Sequence, residues 1–310
     1  MKNAIITGAT GAIGMALIGK LLSQQVNVTV VLHKNSNRNN RIPATGSVRI
    51  VKADLSELSS LTFEQLGKQD VFYHFAWGGT FGQERNNTDE QLKNIQYTLD
   101  AVRLAKRLEC KKFVGAGSQA EYGRYEGNLN SKVPTFPENG YGIAKLCAGQ
   151  MSRLLCEQLG IEHIWTRILS VYGPYDGEKT MISVLVNEML NKRTPSCTKG
   201  EQLWDYIYSM DAANAFYLLG LKGISGKTYC IGSGEAHPLK EYITYIRDAI
   251  SPDLEIAFGA VSYSEKQVMH LCADISELEQ DTGFKIQYSF QDGIMETIEW
   301  IKKEKKNEKD

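Results

Sequence analysis

The sequence carries almost no net charge: 35 lysines and arginines face 36 aspartates and glutamates, which leaves −1. No global field therefore favours nucleic acid or an anionic membrane as a partner. Six cysteines (Cys110, Cys147, Cys156, Cys197, Cys230 and Cys272) include no C-x-x-C pair. Disulfide or metal spacing is absent, and free thiols in a reducing cytosol are the simpler account. His163, His237 and His270 lie on unrelated segments with no ligand spacing between them, so no metal is expected. No apolar run approaches the roughly eighteen residues that a membrane span needs. The first expected strand begins at residue 3, which leaves no room for a signal peptide, and a cytoplasmic location is expected. Internal repeats and low-complexity linkers are lacking too. What remains is ordinary globular composition, 42% hydrophobic and 23% charged, long enough for one large domain or two moderate ones.

The densest signal stands at the start. Asn3 to Thr7 reads as a buried strand, and Gly8-Ala9-Thr10-Gly11-Ala12-Ile13-Gly14 follows without a break. A helical pattern comes next, with Ile13, Leu17, Ile18, Leu21 and Leu22 on one face. Strand, spaced glycines and helix in that order are how a βαβ unit receives a dinucleotide pyrophosphate. The helix N-terminus supplies free N–H groups and a partial positive charge to the phosphates.

Strand and helix signals then alternate. Strands are expected at Val26 to Leu32, Val48 to Val51, Val71 to Phe75, Lys112 to Ala116 and His163 to Leu169. Between them fall a weak helix at Ser60 to Leu66, a long one from about Glu84 to Leu108, and another at Gly140 to Leu159. The rhythm changes after Gly173-Pro174. Helices at Met181–Asn191, Asp211–Leu221, Leu239–Ile250 and Gln291–Lys302 are expected, with short strands near Asp205–Tyr208, Thr228–Ile231 and Leu254–Phe258. The charged run from Lys302 to Asp310 reads as a solvated, frayed end. The fold class is α/β, a Rossmann-type doubly wound parallel sheet with a smaller α/β C-terminal portion that binds substrate. The dinucleotide domain is expected over 1–169 plus about 205–235, and the substrate portion over about 170–204 plus 236–310, with a cleft between.

Tyr141-Gly142-Ile143-Ala144-Lys145 places a phenol and an ammonium on one helix face. At 4 Å and an effective dielectric of 20 their attraction is roughly 4 kcal/mol, an upper figure of about three pKa units on the phenol. A phenol so tuned can give and take a proton as an alcohol and a ketone interconvert. Ser118, just past the strand Lys112 to Ala116, stands where parallel sheets bind ligands, and its hydroxyl can polarise a substrate oxygen.

With these residues in chain order, the sequence resembles the extended short-chain dehydrogenases/reductases of the NAD-dependent epimerase/dehydratase group, over nearly its whole length. Thr7-Gly8-x-x-Gly11-x-x-Gly14 matches that group's cofactor loop, Asp54-Leu55 its adenine-binding acid, and His74-Phe75-Ala76 its strand end beside the pyrophosphate. Asn94, Arg167 through Val171-Tyr172-Gly173-Pro174, and Gln202-Leu203-Trp204-Asp205-Tyr206-Ile207-Tyr208 with Asp211 match later stretches. The resemblance implies Ser118, Tyr141 and Lys145 as the catalytic triad, with Lys145 also holding the nicotinamide ribose. It implies cofactor contacts from Gly8, Thr10, Gly11, Ala12, Ile13, Gly14, Lys34, Arg38, Asp54, Leu55, Phe75 and Ala76 as well. Substrate contacts are expected from Trp77, Ser118, Gln119, Ser170 and Trp204. It further implies a nucleotide-sugar substrate, hydride movement at a sugar carbon (C4), and a homodimer through the two long helices.

Departures narrow the expectation. Gln119 and Ala120 stand where the group's 4,6-dehydratases carry Asp-Glu, and neither does acid–base work at neutral pH, so dehydration is not expected. Glu121 is one place too late unless a loop shift brings it in. Ser170 replaces an asparagine and Trp204 an arginine that meet the substrate diphosphate, which weakens the nucleotide-sugar expectation. Trp204 either stacks on a base or sugar face or packs in the core. The second strand ends in Val31-Leu32-His33-Lys34-Asn35 without a carboxylate, and Lys34, Arg38 and Arg41 follow; NADP is expected over NAD. Epimerase and 4-ketoreductase share this machinery and both stay open, beside a reductase of a non-sugar ketone and a non-catalytic NADP-sensing protein.

Overall fold

The computed structural model describes residues 1–307. β1 (Asn3–Thr7) is buried on both faces, with Ala4 and Ile6 in one core and Ile5 in the other. That two-sided burial is why it reads as an unbroken apolar run rather than an alternating one. The chain continues through α1 (Ala12–Ser23), β2 (Asn27–Leu32), β3 (Val48–Lys52), α2 (Phe63–Leu66) and β4 (Val71–His74). α3 (Thr88–Arg107), β5 (Lys112–Ser118), α4 (Gly140–Leu159) and β6 (Glu162–Ile168) follow. Seven parallel strands form the sheet in the order Thr228–Ile231, β6, β5, β4, β1, β2, β3. α1 and α6 (Ser209–Lys222) seal one face with Leu17, Ile18, Leu21, Phe216 and Leu219. α3 and α4 seal the other with Ala101, Val102, Ala105 and Cys156. The strand order reverses between β1 and β4, and the crevice beyond their C-terminal ends is where such sheets bind ligands.

A smaller core lies beyond β6. α5 (Met181–Leu190) and the helices Leu239–Ile250 and Phe290–Asn307 bring together Ile182, Val186, Ile243, Ile246, Ile294 and Ile298. Short strands tie it in: β7 (Ser170–Tyr172) pairs with Tyr206–Tyr208, and Leu203–Trp204 pairs with His237–Pro238 and His270–Leu271.

Several boundaries differ from the sequence reading. The long helix starts at Thr88, where the Asn87 side chain accepts the Glu90 N–H; residues Gly82–Asn86 form a separate 3-10 turn. β5 continues to Ser118, so that residue ends the strand instead of following it. Only Ala257–Phe258 of the strand expected near 254–258 is formed. Around residue 60, a 3-10 turn at Leu55–Ser60 precedes the single helical turn of α2. The last helix runs to Asn307, because Ile294, Ile298 and Ile301 dock its apolar stripe, so most of the expected frayed end is helical; residues 308–310 lie outside the described residues. Among the described residues all six cysteines are free, no helix is long and apolar enough to cross a membrane, and no cluster of His, Cys, Asp or Glu could hold a metal.

Candidate active site

Gly8 follows β1 with a φ of +73°, and a Cβ there would lie 2.6 Å from the Ala76 nitrogen. Only glycine combines that conformation with that approach to the end of β4. A Cβ on Gly14 would fall 2.6 Å from the Gly8 carbonyl oxygen, so the third glycine lets α1 pack onto the loop. α1 begins after Gly11 with no side-chain cap and no acid in its first turn, leaving its leading N–H groups for a ligand. A groove of about 760 Å³ runs from there over Gly8, Thr10 and Gly11, past His33, Asn35, Ser36 and Arg38, to Asp54, Leu55, Phe75, Ala76 and Trp77. This glycine cradle with its uncapped helix start fits a dinucleotide. The adjoining cavity, about 370 Å³, is lined by Ala12, Ile13 and Gly14 on one side and Ser118, Tyr141 and Lys145 on the other.

The three cations that follow β2 part company. Arg38 lines the groove, on a 3-10 turn capped by the Ser36 side chain. Lys34 does not: its ammonium pairs with Glu57, while its N–H donates to Asp54 at 3.1 Å. Arg41 turns inward, donating to the Thr10 carbonyl at 3.3 Å.

Tyr141 and Lys145 stand one turn apart on α4, started by Asn139, whose side chain accepts the Gly142 N–H at 2.9 Å. Lys145 is buried, and Nζ donates to the Ala116 carbonyl at 2.6 Å and lies 3.7 Å from the centroid of the Trp77 ring. Its distance to the Tyr141 ring centroid is 5.7 Å, so phenol and ammonium are neighbours without touching closely. Burial pulls the ammonium down to about 7, against the opposing pull of the Glu121 carboxylate. Burial pushes the Tyr141 phenol up, while the Ser118 hydroxyl and the Arg85 guanidinium draw it back. Ser118 ends β5, and its own position is over-determined: its N–H donates to Glu121 Oε1 at 2.8 Å and its Oγ accepts the Ala120 N–H. Glu121 therefore faces away from the cavity. It is fully buried, ion-paired to Arg167 at 2.8 Å, and accepts the Trp165 indole N–H at 3.0 Å.

On the side expected to take substrate lies a cavity of about 720 Å³ lined by Ser118, Gln119 and Tyr141 together with Arg85, Ser170, Asp176, Lys179, Gln202, Trp204 and Gln267. The two departures from the family pattern meet there: Trp204 Nε1 donates to Ser170 Oγ at 2.7 Å. Trp204 is half-buried, so it is wall and core edge at once. Trp77 lines the cofactor side instead, edge-on to Tyr141, with its indole N–H held by Gln91 at 2.9 Å. His74 is neutral beneath the groove, pushed by burial to about 3, between the Thr7 and Thr98 hydroxyls.

Sequence reasoning missed Arg85, Gln91 and Asp176. Gln91 and Asn94 on α3 hold the loop after β4 through Gly79 and Gly78, and Arg85 follows on the 3-10 turn. Asp176 lines both cavities beside Ser118 and Tyr141, pushed by burial to about 6. No local motif marks any of them; a polar residue one helical turn before Asn94 was the only available hint.

The family model "NAD dependent epimerase/dehydratase family" matches residues 4–232. CDP-abequose synthase of Salmonella typhimurium is 26% identical over 310 residues, 96% of this chain and 97% of that protein. dTDP-glucose 4,6-dehydratase of Shigella flexneri is 29% identical over 189 residues, a match spanning 56% of this chain and about half, 52%, of that protein. Among solved structures, UDP-glucuronic acid 4-epimerase of Bacillus cereus, in complex with UDP-glucuronic acid and NAD, superposes with a TM-score of 0.85 at 21% identity. That superposition covers 97% of this chain and 99% of the other. Matching from β1 through the last strand of the parallel sheet, the chain belongs to the NAD dependent epimerase/dehydratase family.

Proposed function

We propose that this chain moves a hydride at a sugar carbon, C4, of a nucleotide-activated hexose, as an epimerase or a 4-ketoreductase. The observation that carries this reading is the convergence of Ser118, Tyr141 and Lys145 where the glycine-loop groove opens onto the substrate cavity. Gly8 through Gly14 and Asp54 would hold a nicotinamide dinucleotide, which when bound would supply the carbon that accepts and returns the hydride. Tyr141 takes the proton from the sugar hydroxyl as the ketone forms and returns it as the alcohol is restored. Ser118 hydrogen-bonds the same oxygen, and Lys145 fixes the ribose side of the cofactor. Water elimination is not part of the reading. Gln119 and Ala120 offer no acid, and Glu121 is committed to Arg167, Trp165 and the Ser118 N–H.

Arg38, on the groove wall with no carboxylate paired to it among the described residues, supports NADP over NAD; Lys34 adds nothing, being paired with Glu57. Homodimerisation through α3 and α4 is supported by Leu92, Ile143, Met151 and Leu154, large apolar side chains exposed on those helices.

Purified protein tests the reading directly. Stoichiometric NADPH oxidation with a 4-keto sugar nucleotide marks the reductase, and interconversion of UDP-sugars without added cofactor marks the epimerase. Tyr141→Phe should lower either rate by about 10²–10⁴. Full activity in that variant removes the assignment.

A second reading, reduction of a ketone that carries no diphosphate, is favoured by the Trp204–Ser170 pair. Ser196, Thr198, Gln202 and Gln267 line the cavity with that pair, and the cations on its lining are Arg85 and Lys179. A panel of nucleoside diphosphates in a thermal-shift assay, run with the dinucleotide groove saturated by NADPH, separates the two, since added stabilisation by any of them returns the substrate to the nucleotide sugars.

A further inference from the structure

Two cations flank Tyr141, and the one on its own helix is the more distant. The Arg85 guanidinium carbon lies 4.5 Å from the Tyr141 ring centroid, against 5.7 Å for the Lys145 ammonium. Lys145 is also committed elsewhere, to the Ala116 carbonyl and the face of Trp77. Arg85 makes one hydrogen bond, from a terminal nitrogen to the Thr80 carbonyl at 3.4 Å. No carboxylate among the described residues is ion-paired with it, whereas Lys34, Arg124 and Arg167 each have one.

The placement is built rather than incidental. The turn Gly82–Asn86 that carries Arg85 is tied at both ends. Gln91 Nε2 donates to the Glu84 carbonyl at 3.1 Å, and the Asn86 side chain accepts the Gly140 N–H at 2.9 Å. The second bond joins the turn to the first residue of α4, immediately before Tyr141. The turn that carries Arg85 and the helix start that carries Tyr141 are thus joined directly.

We propose that Arg85 is a positioning residue that acts through Tyr141, its guanidinium over the ring favouring the phenolate and so setting the pH at which the phenol exchanges its proton. The inference rests on Tyr141 being the acid/base of the proposed function. A guanidinium over an aromatic face is attracted to the neutral ring and more strongly to the anion, so it favours proton loss. The sequence reading gave this task to Lys145. Lys145 stays beside the ring at 5.7 Å while it donates to the Ala116 carbonyl, and Arg85 adds a second cation at 4.5 Å.

Every other charged or titratable group around the phenol has a defined place. Ser118 faces it from β5. Glu121, behind Ser118, opposes ionisation but is neutralised by Arg167. Asp176 and Lys179 share the cavity wall from the loop after β7. His74, below Lys145, is uncharged. Of these groups, only Arg85 and Lys145 place a cation near the ring.

The test needs no substrate. In full-length protein with 3-fluorotyrosine in place of tyrosine, the Tyr141 resonance is assigned by its loss in Tyr141→Phe, and its pH midpoint is followed by fluorine NMR. Arg85→Gln should raise that midpoint by about one unit, a tenfold fall in phenolate at fixed pH, and Arg85→Lys should restore most of it. An unchanged or lowered midpoint in Arg85→Gln overturns the proposal, as does an equal rise in both variants, which would mark a structural role. The two readings fail separately. Activity retained by Tyr141→Phe sinks the proposed function, whereas an inactive Tyr141→Phe beside an unmoved Arg85→Gln midpoint sinks this inference alone.

Discussion

Burial disfavours the charged form of whichever group it encloses, and Tyr141 and Lys145 feel this in opposite directions. The phenol rises and the ammonium falls to about 7. Because the folded-state value of Lys145 lies below its ordinary 10.5, the unfolded chain holds a proton that the folded chain lacks between about pH 7 and 10.5. Stability must therefore rise with pH across that window. Lys145→Met removes the group, so the stability of wild type relative to the variant should climb by about 1 kcal/mol per pH unit between pH 8 and 10. Urea denaturation at stepped pH measures it, and a flat difference would contradict the burial argument. Ser118 shows how a residue can be legible while its support is not. Its place at a strand end was visible in sequence, but the Glu121 carboxylate that fixes its N–H was read as one place too late to act unless a loop shift brought it in.

The glycine loop makes a prediction at the scale of an element, because its glycines do different jobs. Gly14→Ala puts a methyl into the Gly8 carbonyl and should cost about 1–3 kcal/mol of stability, along with dinucleotide affinity. Gly11→Ala meets no protein atom within 4 Å, so it should leave the melting temperature unchanged while weakening dinucleotide binding. Calorimetric melting and a dinucleotide titration on both variants decide whether the loop is a binding element or only a tight turn. β6 supplies a second prediction. His163 is stacked between Phe113 and Trp165, bonds Ser152 through Nε2, and is pushed by burial down to about 4. Its folded-state value is depressed, so the unfolded chain gains a proton first, and stability falls as pH drops from 6.5 toward 4. His163→Phe should remove about 1.4 kcal/mol per pH unit from that slope. An unchanged acid limb in denaturation curves would place the loss elsewhere. Elements with a strong apolar period were legible in full, including β1, α1 and α4. The 3-10 turn Gly82–Asn86 was absorbed into α3, because a helix period continues smoothly through residues that long-range hydrogen bonds to Gln91 and Gly140 hold apart.

For the whole molecule, two cores meet along one chain that crosses between them. β7 follows β6, the strand next to the Thr228–Ile231 edge of the parallel sheet, pairs with Tyr206–Tyr208, and so hangs the smaller core beside the C-terminal ends of the strands. That crossing makes the substrate cavity a product of distant segments, from Ser118 to Gln267. The proposed homodimer belongs to this scale. Leu154→Glu, on the exposed face of α4, should convert a dimer to a monomer in light scattering with melting little changed, since the side chain is about half exposed, 49%. A monomeric wild type would dismiss the dimer.

Ser118, Tyr141 and Lys145 were expected together through family resemblance, whereas the parallel α/β sheet and the glycine loop were determined by the sequence itself. Sheet and loop are written in short-range periodicity and spacing, which backbone sterics and apolar burial read directly. Tertiary structure decided which charges act on which groups. Lys34 went to Glu57, Glu121 to Arg167, Trp204 to Ser170, and Arg85 to the face of Tyr141. Electrostatic and hydrogen-bonding effects depend on ångström distances between segments far apart in the chain, and only the packed fold fixes those distances.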